Sequence, residues 1–557
     1  MIMKKSKLPV TLILSLVTIL LTLSAGAQSL STKQLTAEFD KILSEQFKPD
    51  ETGCAALVAK NGQVIYRKAF GLADLELNVP MQPDMVFRIG SVTKQFTAIA
   101  ILQLMEQGKL SLQDEITKYL PDYPMHGHSI TIEHLLTHTS GIKSYTNIPE
   151  FRTMMRTDMT PMEIIEKNKA LPMEFAPGTK WNYNNSGYIL LGYIIEKVSG
   201  KTYAEYLQEN FFTPLGMTGS YYGDNTKIIK NRASGYQPGE GGTVNADYLS
   251  MTLPYAAGSI MSTVDDLYRW NRALHSYKLV KKETLDMAHT TYKLADGKPV
   301  GYGYGWSLSE LQGSRTIEHG GGINGYLSFA VYLPDEDVFV ALLSNSNGKA
   351  PEFNSLRMAA IATGKPLPST ELKLSEEAMM EFTGIFTDEE GTERAITLDE
   401  GSLKSSRQGG TMRKLIAVEK DKFLFENSFT SLKFNRDASG KIISATFNDR
   451  GNLSELKKTD KSLDSRKEIT LAESVLDRYV GEYQLAPGFT ITFTREGNRL
   501  FTQATGQQRF EIFAQSESKF FLKVVDAQVE FVTGADGKVS TINLYQGGNK
   551  TEGKRIK

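Results

Sequence analysis

The chain has 557 residues, a length that suits three or four domains. Charged residues make up 23% and hydrophobic residues 40%, the balance of an ordinary folded protein rather than a disordered or fibrous one. Lys and Arg number 63 against 64 Asp and Glu, so the net charge is −1 and the chain has no basic footprint for nucleic acid.

At the N-terminus, Lys4, Lys5 and Lys7 precede an apolar run from Leu8 to Leu23, and Ala25-Gly26-Ala27 follows as a small-x-small site. This pattern predicts a secretory signal peptide over 1–27, cut after Ala27, and hence an exported protein, periplasmic or extracellular. An uncleaved anchor is the competing reading, because the run approaches spanning length. The Ala-Gly-Ala site favours cleavage and no stable membrane insertion afterwards. The single cysteine, Cys54, excludes an internal disulfide. Within GCAALVAKNG it reads as a small buried hydrophobe.

Residues 28–52 read as an amphipathic lead-in helix. AALVAKNGQVIYRKAFG is two strand-like runs around Asn61-Gly62, a hairpin signal. A long apolar helix then starts near Ser91 in FRIGSVTKQFTAIAILQLME. ITIEHLLTHTSGI is a short helix ending near Gly141, and GYILLGYIIEKVSGKTYAEYLQENFFTPLGM is two helices split at Ser199-Gly200. STVDDLYRWNRAL begins a helix with Ser262 as N-cap and Asp265 three residues on. YLSFAVYL and VFVALLSN form a second hairpin around Pro334–Asp337. Strands at both ends with helices between predict one α/β or α+β domain over 28–365.

Beyond the linker GKPLPSTELK the chain repeats itself. FTGIF at 382 aligns with YVGEY at 479, KFLF at 422 with KFFL at 519, Leu403 with Leu500 and Phe434 with Phe531, always 97 residues apart. Duplication predicts two tandem antiparallel β-barrel-like domains, 376–460 and 473–557, joined by a charged linker.

Three elements carry chemistry. Ser91 and Lys94 are spaced i, i+3, one face of a helix. A serine needs a base to take its proton, and burial lowers a lysine pKa towards that task. Further Ser-x-x-Lys matches in the β modules, Ser454–Lys457 and Ser516–Lys519, lack this context. Tyr183 and Asn185 form a Tyr-x-Asn pattern ahead of a helix: a proton shuttle if cations lower the tyrosine pKa, and an amide to hold Lys94 or a substrate carbonyl. Tyr145-Thr146-Asn147 is a decoy for the same pattern. Third, His319-Gly320-Gly321-Gly322 precedes an apolar strand, where consecutive glycines let a substrate approach the backbone closely and offer N–H groups to an oxyanion.

Together, in this order and with the flanks LLTHTSGI, NNSGYILLGYIIEKVSG, FFTPLGM and STVDDLYRW, these elements resemble the serine β-lactamase and penicillin-binding-protein superfamily, in its class C-like branch. The resemblance covers about residues 40–350. It implies a catalytic domain with an antiparallel sheet flanked by helices, and a reaction through an acyl-enzyme with no metal or cofactor. In that scheme Ser91 is the nucleophile and Lys94 with Tyr183 moves the proton. Asn185, His319, Gly321 and Gly322 face the substrate, with the N–H groups of Ser91 and Gly322 as oxyanion hole. His319 stands where many β-lactamases carry lysine, which weakens a β-lactamase reading. The His-x-Gly triplet and the tandem β domains resemble three-domain D-aminopeptidases.

The expected function is thus an exported serine hydrolase of D-amino-acid-containing peptides, D-aminopeptidase or DD-carboxypeptidase-like. Esterase action on small acyl esters, or β-lactamase action, is the alternative, and a binding protein for peptides or cell-wall fragments is the non-enzymatic one. A zinc site from His126, His128, His134 and His138 is disfavoured because His-Glu-x-x-His is absent. HGGG also marks α/β-hydrolases, but no Gly-x-Ser-x-Gly elbow follows. One β domain is expected to restrict access to Ser91.

Overall fold

The computed structural model describes residues 31–368, 371–407, 410–461, 468–486, 488–534, 537–546 and 549–557. The segment 1–27 predicted as a signal peptide lies outside them, as do parts of both linkers. Among the described residues no helix is long and apolar enough to cross a membrane.

The sheet of the N-terminal domain has six strands: β1 (Cys54–Lys60), β2 (Gln63–Phe70), β3 (Ser307–Leu311), β4 (Ser314–Ile323), β5 (Tyr326–Leu333) and β6 (Val338–Ser344). Their order is β3-β4-β5-β6-β1-β2, every pair antiparallel. The predicted hairpins are both present; Asn61 and Gly62 take φ +50° and +74° at the first turn, the left-handed pair such a tight turn demands.

Strands β1 and β6 are buried on both faces. Ala55, Leu57, Phe339 and Ala341 point into one core; Cys54, Ala56, Val338 and Val340 point into a second. The second core is closed by helices α1 (Thr32–Gln46) and α5 (Glu352–Ala362). The first is filled by α2 (Thr93–Glu106), α3 (Asn185–Ser199) and α4 (Val264–His275). Helix α2 is apolar on nearly all sides, which suits only a central position; Phe96 stacks on Trp270 of α4 at 3.9 Å. Cys54 is fully buried, and burial pushes its thiol pKa up, as for an inert core residue. One cap differs from expectation. Thr263, not Ser262, caps α4, accepting the Asp266 N–H at 3.1 Å, because Ser262 is still paired in a short strand and Thr263 immediately precedes the first helical residue.

The C-terminal half is two closed eight-stranded antiparallel barrels. Barrel one runs β7 (Gly384–Thr387), β8 (Glu393–Asp399), β9 (Ser402–Arg407), β10 (Arg413–Glu419), β11 (Lys422–Phe425), β12 (Ser431–Arg436), β13 (Ile442–Asp449), β14 (Asn452–Lys458). Barrel two runs β15 (Gly481–Ala486), β16 (Phe489–Glu496), β17 (Arg499–Ala504), β18 (Phe510–Ala514), β19 (Lys519–Phe521), β20 (Ala527–Thr533), β21 (Val539–Gln546), β22 (Asn549–Arg555). The repeat holds to the residue: Phe386↔Lys458 closes one barrel and Tyr483↔Arg555 the other. The decoy Ser454–Lys457 lies on β14, where i and i+3 point to opposite faces.

Barrel one is locked to the sheet of the N-terminal domain. Arg450, in the β13–β14 turn, makes a bidentate pair with Glu318 of β4 at 2.6 and 2.6 Å and donates to Thr316 at 3.2 Å. Its carbonyl accepts the Glu310 N–H at 2.8 Å. The two charged side chains are only 9% and 6% exposed, so each depends on the other for its solvation.

Candidate active site

The strand Phe87–Arg88 leads into a 3-10 turn, Gly90–Val92, which runs into α2. This turn carries Ser91, and Lys94 follows one turn on. Lys94 is 0% exposed. Its Nζ lies 3.1 Å from Ser91 Oγ, 2.9 Å from Asn185 Oδ1 and 2.9 Å from the Ala257 carbonyl. Burial holds its pKa well below the ordinary lysine range. Asn185 Oδ1 and the Ala257 carbonyl can only accept, so they take both N–H bonds of a neutral amine. Nζ also donates to Ser91 Oγ; an amine that gives up a proton here keeps its bonds to the two acceptors and turns a lone pair to the Ser91 hydroxyl.

Asn185 is fixed as the first residue of α3. Asn184 caps that helix, accepting the Gly187 N–H at 2.8 Å. Asn185 Nδ2 donates to Thr146 Oγ1 at 3.2 Å and its N–H to Ser144 Oγ at 3.2 Å. Its amide is thereby committed to Lys94 rather than left free. The segment 144–146, which looked like a decoy, supplies both of these partners.

Tyr183 lies against the same amine. The Lys94 Nζ is 4.8 Å from its ring centroid, and the His138 ring packs against it at a tilt with centroids 4.3 Å apart. Its hydroxyl is buried without a hydrogen-bond partner. Burial raises its pKa, against a smaller lowering by Ser91. The sequence makes Tyr183 a proton shuttle on condition that cations lower its pKa; burial raises it instead, the direction that favours the protonated phenol. Tyr145, by contrast, spends its hydroxyl on the Leu253 carbonyl at 3.1 Å. Tyr183→Phe is expected to slow turnover about 10²-fold or more, as for a lost proton donor, with Tyr145→Phe within a few-fold. Turnover kinetics of the two variants check this, and the reverse order would reassign the relay.

His319 sits on β4 behind Tyr183, 5% exposed. Nδ1 contacts the Gly320 carbonyl at 2.6 Å, which fixes the proton there, and Nε2 accepts from the Tyr302 hydroxyl at 2.8 Å. Burial, then repulsion from Lys94, takes its pKa down to about 3, against the Gly320 carbonyl. Both nitrogens are used internally and the ring is neutral, so His319 has no free donor for a substrate and orients β4 through Tyr302. His134 and His138 also serve the fold: His134 Nδ1 accepts the Thr131 N–H at 3.2 Å, His138 Nδ1 the Asn184 N–H at 3.1 Å.

The glycine triplet packs on the nucleophile turn. A β-carbon on Gly321 would lie 2.0 Å from the Ile89 carbonyl, which accepts from Ser328 at 2.8 Å. One on Gly90, at φ +50°, would lie 3.0 Å from Gly322 N. The backbone of β4 thus approaches the protein's own Ser91 turn, the contact that only glycine permits.

The chain matches the family model described as Beta-lactamase over residues 39–365, and a domain of unknown function (DUF3471) over 465–555. It is similar to Penicillin-binding protein 4* of Bacillus subtilis, 27% identical over 524 residues, covering 90% of this chain and 94% of that one. Among solved structures it is similar to an octameric penicillin-binding protein homologue from Pyrococcus abyssi, at TM-score 0.55 and 28% identity, covering 77% of this chain and 100% of that one. A D-stereospecific amidohydrolase from Streptomyces gives TM-score 0.52 and 28% identity, covering 58% and 97%.

Proposed function

The chain belongs to the Beta-lactamase family, and from that membership we propose that it is an exported serine hydrolase acting through an acyl-enzyme on amides or short peptides of D-amino acids. The observation that carries the reading is the buried Lys94 amine, held by two acceptors with its Nζ 3.1 Å from Ser91 Oγ. Lys94 takes the Ser91 proton as Oγ attacks the carbonyl carbon. The N–H groups of Ser91 and Gly322 receive the negative oxygen. As the tetrahedral adduct collapses, Tyr183 gives its proton to the leaving nitrogen and regains one from the Lys94 ammonium. Water then attacks the ester by the same path in reverse, releasing the acid and restoring Ser91.

The D-configured amide is supported by the Streptomyces amidohydrolase neighbour. A neutral His319 also leaves the site without the fixed cation of a lysine at that position.

The test is labelling with a fluorophosphonate, read by intact mass and peptide mapping, beside Ser91→Ala. A single adduct on Ser91, absent from a variant whose stability stays within about 1 kcal/mol, is the expected result. A folded protein that takes no adduct overturns the reading. A panel of D- and L-amino-acid amides, small esters and a chromogenic β-lactam then ranks the substrate classes.

A further inference from the structure

Barrel one carries three arginines at positions where its duplicate carries hydrocarbon. Arg394 on β8, Arg407 at the end of β9 and Arg413 at the start of β10 share their strand faces with Ile396, Leu403 and Leu415, all core residues. Arg394 and Arg407 line the inside of one mouth of the barrel, and Arg413 lies beside it over the Phe425 ring at 4.8 Å. Arg394 is directly opposite Arg407 across the β8–β9 ladder, and Arg413 is opposite Ser405 across the next. Like charges face to face destabilise a sheet. Among the described residues none of the three arginines takes part in an ion pair of this barrel.

Arg394 is the most enclosed. Its guanidinium lies 4.5 Å from the Phe447 ring and 5.5 Å from Phe425, donates to Ser405 Oγ at 3.1 Å, and keeps a buried Nε with no partner. Burial, then Arg407 and Arg413, pulls its pKa down to about 10.

Barrel two shows that the architecture does not need these charges. The residues 97 positions on are Ile491, Ala504 and Phe510, in the same register: Ile491↔Ala504 and Thr502↔Phe510. All three pack in or against that barrel's core. In barrel one the same end instead opens onto a cavity of about 380 Å³, lined by Arg394, Arg407 and Phe447 and rimmed by carboxylates.

The rim decides the ligand's charge. Asp388 is occupied by the Thr392 and Glu390 N–H groups, Glu390 pairs with Lys298 and Glu393 with Lys461, which leaves on the rim Glu389 and Glu455, the latter accepting only from Thr446 Oγ1 at 3.2 Å among the described residues. Such a rim repels a polyanion and suits a small molecule carrying both charges. We propose that the mouth of barrel one binds a free amino acid or short peptide, with Arg394 and Arg407 on its carboxylate, Phe447 against its side chain, and Glu389 and Glu455 on its ammonium. Guanidinium–carboxylate pairs are the strong, directional kind of hydrogen bond such a site needs.

The experiment is calorimetric titration of D-alanyl-D-alanine into the full chain carrying Ser91→Ala, beside the same chain with Arg394→Ile and Arg407→Ala added. Those are the residues barrel two already accommodates. The expected result is binding that weakens about tenfold or more in the swapped chain, with Tm unchanged or raised. Fluorophosphonate labelling of Ser91 should keep its rate in the Arg394→Ile/Arg407→Ala protein. Equal affinity in both chains, no binding to the parent, tighter binding of inorganic polyphosphate than of the dipeptide, or a lower Tm after the swap would each overturn the proposal.

Discussion

Replacing Lys94 with methionine will slow acylation of Ser91 by about 10³-fold, within the range for losing a positioned general base, and will leave the chain folded. Methionine keeps the aliphatic stem in its buried slot. It strands two acceptors, Asn185 Oδ1 and the Ala257 carbonyl, at about 1–3 kcal/mol each, but it also removes an amine whose charged form burial disfavours.

The pH dependence separates this role from packing. The folded pKa of Lys94 lies below its unfolded value of about 10.4. Between the two, the unfolded chain holds a proton that the folded chain lacks, so stability contributed by this site rises with pH across the window. Lys94→Met will flatten that rise in thermal melts. The acylation rate of the parent will rise as Lys94 loses its proton, and the variant's residual rate will lack this acid limb. An acid limb that survives in Lys94→Met would place the base elsewhere.

Gly321→Ala will be the most damaging single methyl group in the site. Its β-carbon would meet the Ile89 carbonyl at 2.0 Å and Ser328 Oγ at 2.4 Å, so β4 must withdraw from the Ser91 turn. Overpacking of this kind costs about 1–3 kcal/mol, and a shift of about 1 Å at a reacting centre costs about 10²-fold in rate. At Gly320 the nearest atom, on the Phe329 ring, is 3.5 Å away. Gly320→Ala will therefore melt and acylate close to the parent. Equal losses in the two variants, by melting curve and acylation kinetics, would refute the close-approach account.

Much of this was legible because it is local. The i, i+3 spacing of Ser91 and Lys94, the Asn61-Gly62 hairpin and the 97-residue repeat are each written in a short window or a fixed offset. The partners of the site are not. Ala257 contributes a backbone carbonyl, which no side-chain pattern can announce. Thr146 and Ser144 act by tertiary contact from a segment that reads as a false motif. The neutrality of His319 follows from burial beside Lys94, and burial is a property of the assembled core. The Gly triplet was readable as a close approach, but not what approaches: the Ile89 carbonyl lies more than two hundred residues earlier in the chain. Likewise the Arg450–Glu318 pair joins two domains by residues without any sequence signature. It also makes excision of both barrels an impure test of substrate access, since Glu318, on the strand of the glycine triplet, would lose its counter-ion.

A ribosome delivers β1 long before its inner neighbour. Cys54 pairs with Ser344, so the strand at the heart of the sheet, buried on both faces when finished, must keep one edge open while Ser91, Tyr183 and His319 are still being made. Each barrel instead zips every strand onto the next one in the chain, closing only its ends, the kind of local wiring that forms quickly. The two halves of the molecule thus mature on different clocks. The half that carries the chemistry is the one whose unfinished edge needs guarding from other chains.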